Sequence, residues 1–254
     1  MACAPAQIDE TQITEYERAG AICLRGLFDD QWVGRLREAI ERRIRAGAQT
    51  HSKRADAYSF TELFMWRTDQ DFRDFVFESP AAAIAARMMR SQTVRFYFDQ
   101  IFNKEPGMLA PSAWHNDQPF YPIAGAQVCS IWLALDPVTK QSSGLEYVAG
   151  SHRWPQVARG EVPDIGAIIG RCEMLNWDMQ PGDCLVHHGL TVHGAGGNTT
   201  LGVRRRALAT RWIGDDVVYR DRAGGHEQLK ARGLQTGEPL PADQFPTVAF
   251  QDTA

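Results

Sequence analysis

The 254-residue chain lacks most of the features that mark membrane, secreted and nucleic-acid-binding proteins. No run approaches the ~18 apolar residues needed to cross a bilayer, so no membrane span is expected. The opening MACAPAQIDE has neither a basic stretch nor an apolar core, so no signal peptide is read there. Lys and Arg number 27 against 31 Asp and Glu, a net charge of −4. A nucleic-acid partner is therefore not expected, because such a surface needs a basic excess. The cluster Arg204-Arg205-Arg206 is local and sits in a sheet-like stretch. Cysteine is sparse: Cys3, Cys23, Cys129, Cys172 and Cys184 are scattered, odd in number and form no C-x-x-C pair. That argues against a disulfide framework and for buried or incidental thiols in a reducing cytoplasm. Repeats, low-complexity tracts and linker-like stretches are missing as well, which leaves one domain as the expectation.

What is present is ordinary globular material, 44% hydrophobic and 23% charged, enough for a sizeable core. The first ninety residues read as mainly helical. An amphipathic segment over 10–19 ends at Gly20, and a short apolar strand follows over 21–24. Asp29 or Asp30 caps a helix carrying Trp32, Val33, Leu36, Ile40 and Ile44, closed by Gly47. Residues 48–60 are polar and read as a loop. Ser79-Pro80 opens a helix over AAAIAARMMR, with serine at the cap and proline in the first turn.

From residue 93 the period changes to two. VRFYFDQIF alternates Val94, Phe96 and Phe98 against Arg95, Tyr97 and Asp99. QVCSIWLAL (127–135) is nearly all apolar and reads as a strand buried on both faces. CEMLNW (172–177), CLVHH (184–188) and RALATRWI (206–213) are further strands. Glycine, proline and asparagine turns separate them, so the expected fold is an all-β barrel or sandwich with N-terminal helices against it.

Two constellations carry chemistry. In Trp114-His115-Asn116-Asp117, an extended chain points residues two apart to one side. His115 and Asp117 can thus offer an imidazole and a carboxylate to one metal. The block PGDCLVHHGLTVHGAGGN supplies His187, His188 and His193. One of these would complete a set of two histidines and one carboxylate on one face of an octahedral metal. Such a facial set leaves positions open, as oxygen-activating iron(II) enzymes require. His188 lies inside a strand, while His193 sits at its glycine-rich exit.

The stretches FDQIFNKEPG (98–107), WHNDQPFYP (114–122), SIWLALDPV (130–138), SGLEYVAGSHRWP (143–155), PGDCLVHHGLTVHGAGGN (181–198) and RRRALATRW (204–212) resemble the phytanoyl-CoA dioxygenase family of iron(II)- and 2-oxoglutarate-dependent oxygenases. The resemblance covers roughly 90–215 with specific motifs and the helical N-terminus more loosely. It implies a mainly β fold, a double-stranded β-helix (jelly-roll, cupin-like barrel) over 93–215. Residues 1–92 would form a helical buttress and 216–254 a C-terminal extension. It implies Fe(II) held by His115, Asp117 and His193, with His188 as a structural neighbour. It also implies 2-oxoglutarate as cosubstrate, O2, and hydroxylation of a small-molecule substrate with release of succinate and CO2. The family arginine that anchors the far carboxylate of 2-oxoglutarate falls on Arg204. A shift of register by one or two would move that role to Arg205 or Arg206.

Around this core, Trp132 is read as an indole against the cosubstrate or as a core tryptophan. Tyr97 and Gln100 are expected to line the cosubstrate pocket, and Tyr121 and Arg211 the substrate pocket. Arg211 could equally pair with Asp215 or Asp216 at the surface. Gly150-Ser151-His152 is read as a structural turn. Asp117 argues against a halogenase, whose relatives carry a small residue there. A zinc hydrolase and a non-catalytic cupin-type sensor are the alternatives, but the chain has no H-E-x-x-H helix.

Overall fold

The computed structural model describes residues 8–47, 59–155, 162–222, 230 and 233–250. Helix α1 (Glu10–Ala19) starts at a capping box. Asp9 accepts from the Gln12 N–H at 2.8 Å, and the Gln12 side chain accepts from the Asp9 N–H at 3.0 Å. Two donors that a helix start leaves open are thereby satisfied. Gly20 ends α1 at φ +78°, and a Cβ there would stand 2.3 Å from His152 Nδ1 and 2.5 Å from Thr191 Oγ1. Only glycine permits both the left-handed turn and that approach.

Strand β1 (Ala21–Leu24) and helix α2 (Asp30–Arg45) follow. Asp29 caps α2 by accepting from the Trp32 N–H at 2.9 Å, and Val33, Leu36, Ala39 and Ile40 form its buried stripe. Next come β2 (Phe60–Leu63), α3 (Gln70–Glu78) and α4 (Ala81–Met89). The β-rich part comprises β3 (Val94–Lys104), β4 (Ser112–His115), β5 (Ile123–Ala124), β6 (Val128–Ala134), β7 (Leu145–Val148) and, after a short helix α5 (Ile165–Ile168), β8 (Met174–Leu175). It continues with β9 (Cys184–His188), β10 (His193–Ala195), β11 (Arg205–Ile213), β12 (Val218–Tyr219) and β13 (Thr247–Val248).

Two antiparallel sheets face each other in a jelly-roll. The larger runs β1-β9-β6-β11-β3-β13, with β2 also paired to β3; the smaller runs β4-β10-β7-β8. Alternation along the strands explains the apolar run at 127–135. Cys129, Ile131 and Leu133 of β6 point outward, into a core shared with α1 to α4. Trp132 and Ala134 point inward, toward Leu145, Tyr147 and Ala195 of the smaller sheet. Every residue of β6 is buried. Full burial of each large apolar side chain contributes roughly 1.5–3 kcal/mol, so both faces of β6 hold the layers together.

Several expectations shift. The strand expected over 172–177 is only Met174–Leu175, and Asn176 instead donates to the Leu145 carbonyl at 2.8 Å. Pro80, not Ser79, occupies the cap of α4, although Ser79 Oγ still accepts from the Ala81 N–H at 3.3 Å. Helix α3 and strand β2 had no counterpart in the sequence reading. The polar loop expected over 48–60 falls largely outside the described residues, apart from its end at Ser59 and Phe60. The C-terminal stretch is built in: β13 pairs with β3, and Phe245 stacks on Tyr97 at 5.0 Å between ring centroids. Among the described residues no helix is long and apolar enough to cross a membrane.

Candidate metal centre

Strand pairing brings the chemistry together. His193 of β10 lies directly opposite His115 of β4 on one side and Tyr147 of β7 on the other. Strand β4 stops at His115, and Asp117 opens a short helical turn at φ −77°, ψ −49°. The extended geometry read from H-x-D therefore does not reach Asp117, but the turn delivers its carboxylate to the same side. One ligand atom from each of His115, Asp117 and His193 lies within 4.8 Å of the others. The two imidazoles are 4.3 Å apart between centroids, and His115 Nε2 is 3.6 Å from Asp117 Oδ1.

Both imidazoles are set in one tautomer. His115 Nδ1 lies 2.8 Å from the Ala113 carbonyl, and His193 Nδ1 lies 2.9 Å from the Thr191 carbonyl. A carbonyl only accepts, so each Nδ1 carries the proton and each Nε2 presents a lone pair. Burial, with the rings of His115 and His187 beside it, pushes His193 well below the usual imidazole range. Burial alone would raise the Asp117 carboxyl. The adjacent His187 imidazole, then the Arg211 guanidinium and the His193 and His115 rings, outweigh it and hold Asp117 well below the usual carboxylate range. A neutral imidazole and an ionised carboxylate are the states a divalent cation needs. Two imidazole nitrogens and one carboxylate oxygen converging from one side fit iron(II).

The far oxygen of Asp117 is surrounded too. Oδ2 accepts from Ser130 Oγ at 3.1 Å, with His187 Nε2 at 3.6 Å and Arg211 Nε at 3.9 Å. Ser130, His187 and Arg211 share the inward face of the large sheet, where Ser130 stands opposite both others. Tyr121 is buried next to this group. Burial and Asp117 raise its phenol, against Arg211, so it stays neutral.

The three candidate arginines face different ways. Arg204 precedes β11 and turns outward, pairing with Glu41 at 2.6 Å and Glu105 at 2.8 Å. Arg206 also faces out, bound to Asp136 at 2.7 Å and to Glu41 at 3.0 Å. Arg205 is the inward one. It is buried, lies 5.3 Å from the Trp132 ring centroid, and stands opposite Lys104 of β3. The reason is parity: the inward set on β11 is Arg205, Ala207, Ala209 and Arg211, because Ala207 and Ala209 face Ala134 and Trp132. Lys104 is fully buried, donates to the Ala110 and Gly196 carbonyls at 3.0 and 3.1 Å, and is lowered to about 8 by burial and by Arg205.

The other expected residues divide. Trp132 faces the interior against Arg205. Gln100 stands opposite Ala209 on the inward face and donates to Thr61 Oγ1 at 3.2 Å. Tyr97 is not brought to Arg205; a bulge near it on β3 places its ring among Phe98, Tyr121 and Phe245. Arg211 faces the interior over Phe98, at 4.7 Å from the ring centroid, and not Asp215 or Asp216. Those two aspartates bind backbone and side-chain groups of Ser91, Gln92, Thr93, Ala126 and Gln127. His188 points outward, 5.3 Å from the His152 ring, and burial lowers it to about 4. His187, which no sequence feature singled out from its neighbours, borders the site, with Nε2 3.6 Å from Asp117 Oδ2. It shares the inward face of β9 with Leu185, a facing set by its pairing with β6 and β1.

The family model described as Phytanoyl-CoA dioxygenase (PhyH) matches residues 16–207, and the chain belongs to that family. It is 36% identical over 124 residues to the multifunctional dioxygenase prhA of Penicillium brasilianum, covering 45% of this chain and 40% of that protein. The chain thus matches less than half the length of that relative. It is 24% identical over 265 residues to a probable alpha-ketoglutarate-dependent hypophosphite dioxygenase of Stutzerimonas stutzeri, covering 94% and 91%. The structure of the carbocyclase SnoK from nogalamycin biosynthesis superposes with a TM-score of 0.83 at 22% identity, covering 97% of this chain and all of that one. The epimerase SnoN, solved with Fe3+, alpha ketoglutarate and nogalamycin RO, gives 0.77 at 24% identity, covering 94% and 97%.

Proposed function

We propose that this protein is an Fe(II)- and 2-oxoglutarate-dependent dioxygenase that hydroxylates an unactivated C–H bond of a small molecule. The observation that carries this reading is the convergence of His115, Asp117 and His193, with both imidazoles presenting Nε2 to one point. Iron(II) with 2-oxoglutarate and O2 supplies the oxidising chemistry, in which 2-oxoglutarate leaves as succinate and CO2.

The chain's own residues hold, orient and shield. His115, Asp117 and His193 hold the metal. Arg205, the inward arginine, receives the far carboxylate of 2-oxoglutarate through its planar fork, and Lys104 adds a second positive charge beside it. Trp132 and Gln100 wall this pocket. Ala207, Ala209 and Leu185 make this part of the interior apolar. Arg211 and Tyr121, at the opposite end of the inward face, border the substrate. The names of the relatives run from hypophosphite to nogalamycin chemistry, so one scaffold serves unlike substrates and the residues around Arg211 do the selecting. The helices, the jelly-roll and the C-terminal stretch work as one domain in this reading, supported by β13 on β3. The thiols fit a reducing cytoplasm: among the described residues Cys23, Cys129, Cys172 and Cys184 are all free.

The test is succinate release from 2-oxoglutarate under air with added Fe(II), stimulated by members of a metabolite panel. Full turnover by His115→Ala would sink the ligand set. Ester hydrolysis with Zn(II) and no 2-oxoglutarate consumption would replace the oxygenase with a zinc hydrolase.

A further inference from the structure

The interior holds a histidine that the ligand set does not use. His187 is 2% exposed, on the inward face of β9 between Leu185 and the open end of the site. An apolar residue would fill such a position at less cost, since a buried polar group must be hydrogen-bonded to repay its lost water. His187 has one such bond, between Nδ1 and the Tyr147 hydroxyl at 3.1 Å. Its Nε2 is buried with no partner at hydrogen-bond distance, and Asp117 Oδ2 lies 3.6 Å from it. Its ring also lies 4.6 Å from that of His193.

The direction of these bonds follows from the groups. An ionised carboxylate only accepts, so Nε2 must carry the proton to serve Oδ2. Nδ1 of the neutral ring then accepts, and the Tyr147 hydroxyl donates to it. Tyr147 is fixed in turn: it is fully buried and stands opposite His193 across β7 and β10. The chain from Tyr147 through His187 to Asp117 thus ends on the oxygen that does not face His115. The oxygen that does face it, Oδ1, joins the metal set.

We propose that His187, locked by Tyr147, is a positioning residue that occupies the outer oxygen of Asp117 and makes the carboxylate bind the metal through one oxygen only. The claim rests on the metal-site reading above. Ser130 supplies one donor to Oδ2 already; His187 supplies a second from the other flank, so the carboxylate plane cannot swing to chelate. A carboxylate held to one oxygen keeps a coordination position open that a chelating one would take. The 3.6 Å contact is a donor poised for this role, since such contacts tighten when the site fills.

The experiment measures Mn(II) affinity of the purified full chain by electron paramagnetic resonance, alongside unfolding temperature without metal. His187→Phe keeps a buried ring and removes both nitrogens; its affinity is expected to fall ~10- to 100-fold, as for lost partners of metal ligands. His187→Gln returns an N–H donor near the place of Nε2 and is expected to recover most of that loss. Tyr147→Phe, which frees the ring to turn, is expected to lie between them. Unchanged affinity in folded His187→Phe, or a His187→Gln protein as weak as His187→Phe, overturns the proposal. Where His187→Phe does not fold, Tyr147→Phe decides: parent-like affinity overturns the proposal and weakened affinity supports it. His115→Ala is the control, and if it keeps full Mn(II) binding, the metal site itself has failed rather than the role of His187.

Discussion

Arg204 and Arg205 are neighbours in the chain and lie on opposite faces of the large sheet. Arg204 binds Glu41 of α2 and Glu105 at the surface, while Arg205 is buried over Trp132. Arg205→Gln is therefore expected to weaken 2-oxoglutarate binding by about 2–5 kcal/mol, the range for truncating one partner of a buried charge pair. Arg204→Gln loses only its surface pairs with Glu41 and Glu105, each worth ~0–1 kcal/mol, and is expected to leave 2-oxoglutarate affinity as it is. Anaerobic titration of the Mn(II)-loaded protein with 2-oxoglutarate separates the two, and a reversed order would return the anchor to Arg204.

Asp117→Ala and His193→Ala each remove one donor from a three-donor set. Both variants are expected to lose Fe(II) binding and succinate release together. In the parent protein, chelation of the metal is expected to stop succinate release and added Fe(II) to restore it. Calorimetric Fe(II) titration under nitrogen checks the first expectation, and a variant that binds Fe(II) normally would remove its residue from the set.

Asp99 gives the protein a pH signature. Burial raises its carboxyl to about 7, while the Trp66 N–H donates to it at 2.9 Å. Between its ordinary value and about 7 the folded chain keeps a proton that the unfolded chain has released, so stability falls as pH rises through that window. Above pH 7 the penalty is fully present and is worth up to roughly 4 kcal/mol. Asp99→Asn retains an acceptor for Trp66 without the charge. The variant is expected to melt higher than the parent at pH 8 and to match it at pH 4. An equal effect at both pH values would show that Asp99 acts through packing instead.

Gly20→Ala places a Cβ into His152 and Thr191 at a left-handed position. A loss of roughly 1–3 kcal/mol is expected from backbone strain alone, read as a lower midpoint in denaturant. Gly26→Ala, also left-handed but with nothing within 4 Å of its Cβ, isolates the strain component.

The residues that could be read from the chain were those whose signal is local. His115 and Asp117 announce themselves by spacing, and β6 by an unbroken apolar run. The strand carrying His187 was legible too, but not which of its histidines faces in. That depends on β9 pairing His187 with Ser130 and Ala21, both distant in sequence. The same holds for Arg204 and Arg205: the sequence left open which of them faces in, because parity on β11 is set by Trp132 and Ala134 across the sheet. Helix α3 escaped although Asp69 caps it and Asp71 sits in its first turn, because its buried stripe is only Phe72, Phe75 and Val76. It is held by Arg35, which bonds Asp71 and Asp74 from α2. Contacts between elements, not propensity, decided each of these cases.

Strand β3 is covered on one side by β11 from Arg95 to Lys104. Its other side is shared, with β13 on Val94 and Arg95 and β2 on Gln100 to Asn103. These two short strands act as guards on what would otherwise be a long open border of the larger sheet. Such a border is a template for pairing with another chain. A protein shortened before Thr247 would present bare backbone at Val94 and Arg95, and its first failure would be self-association rather than loss of the metal site.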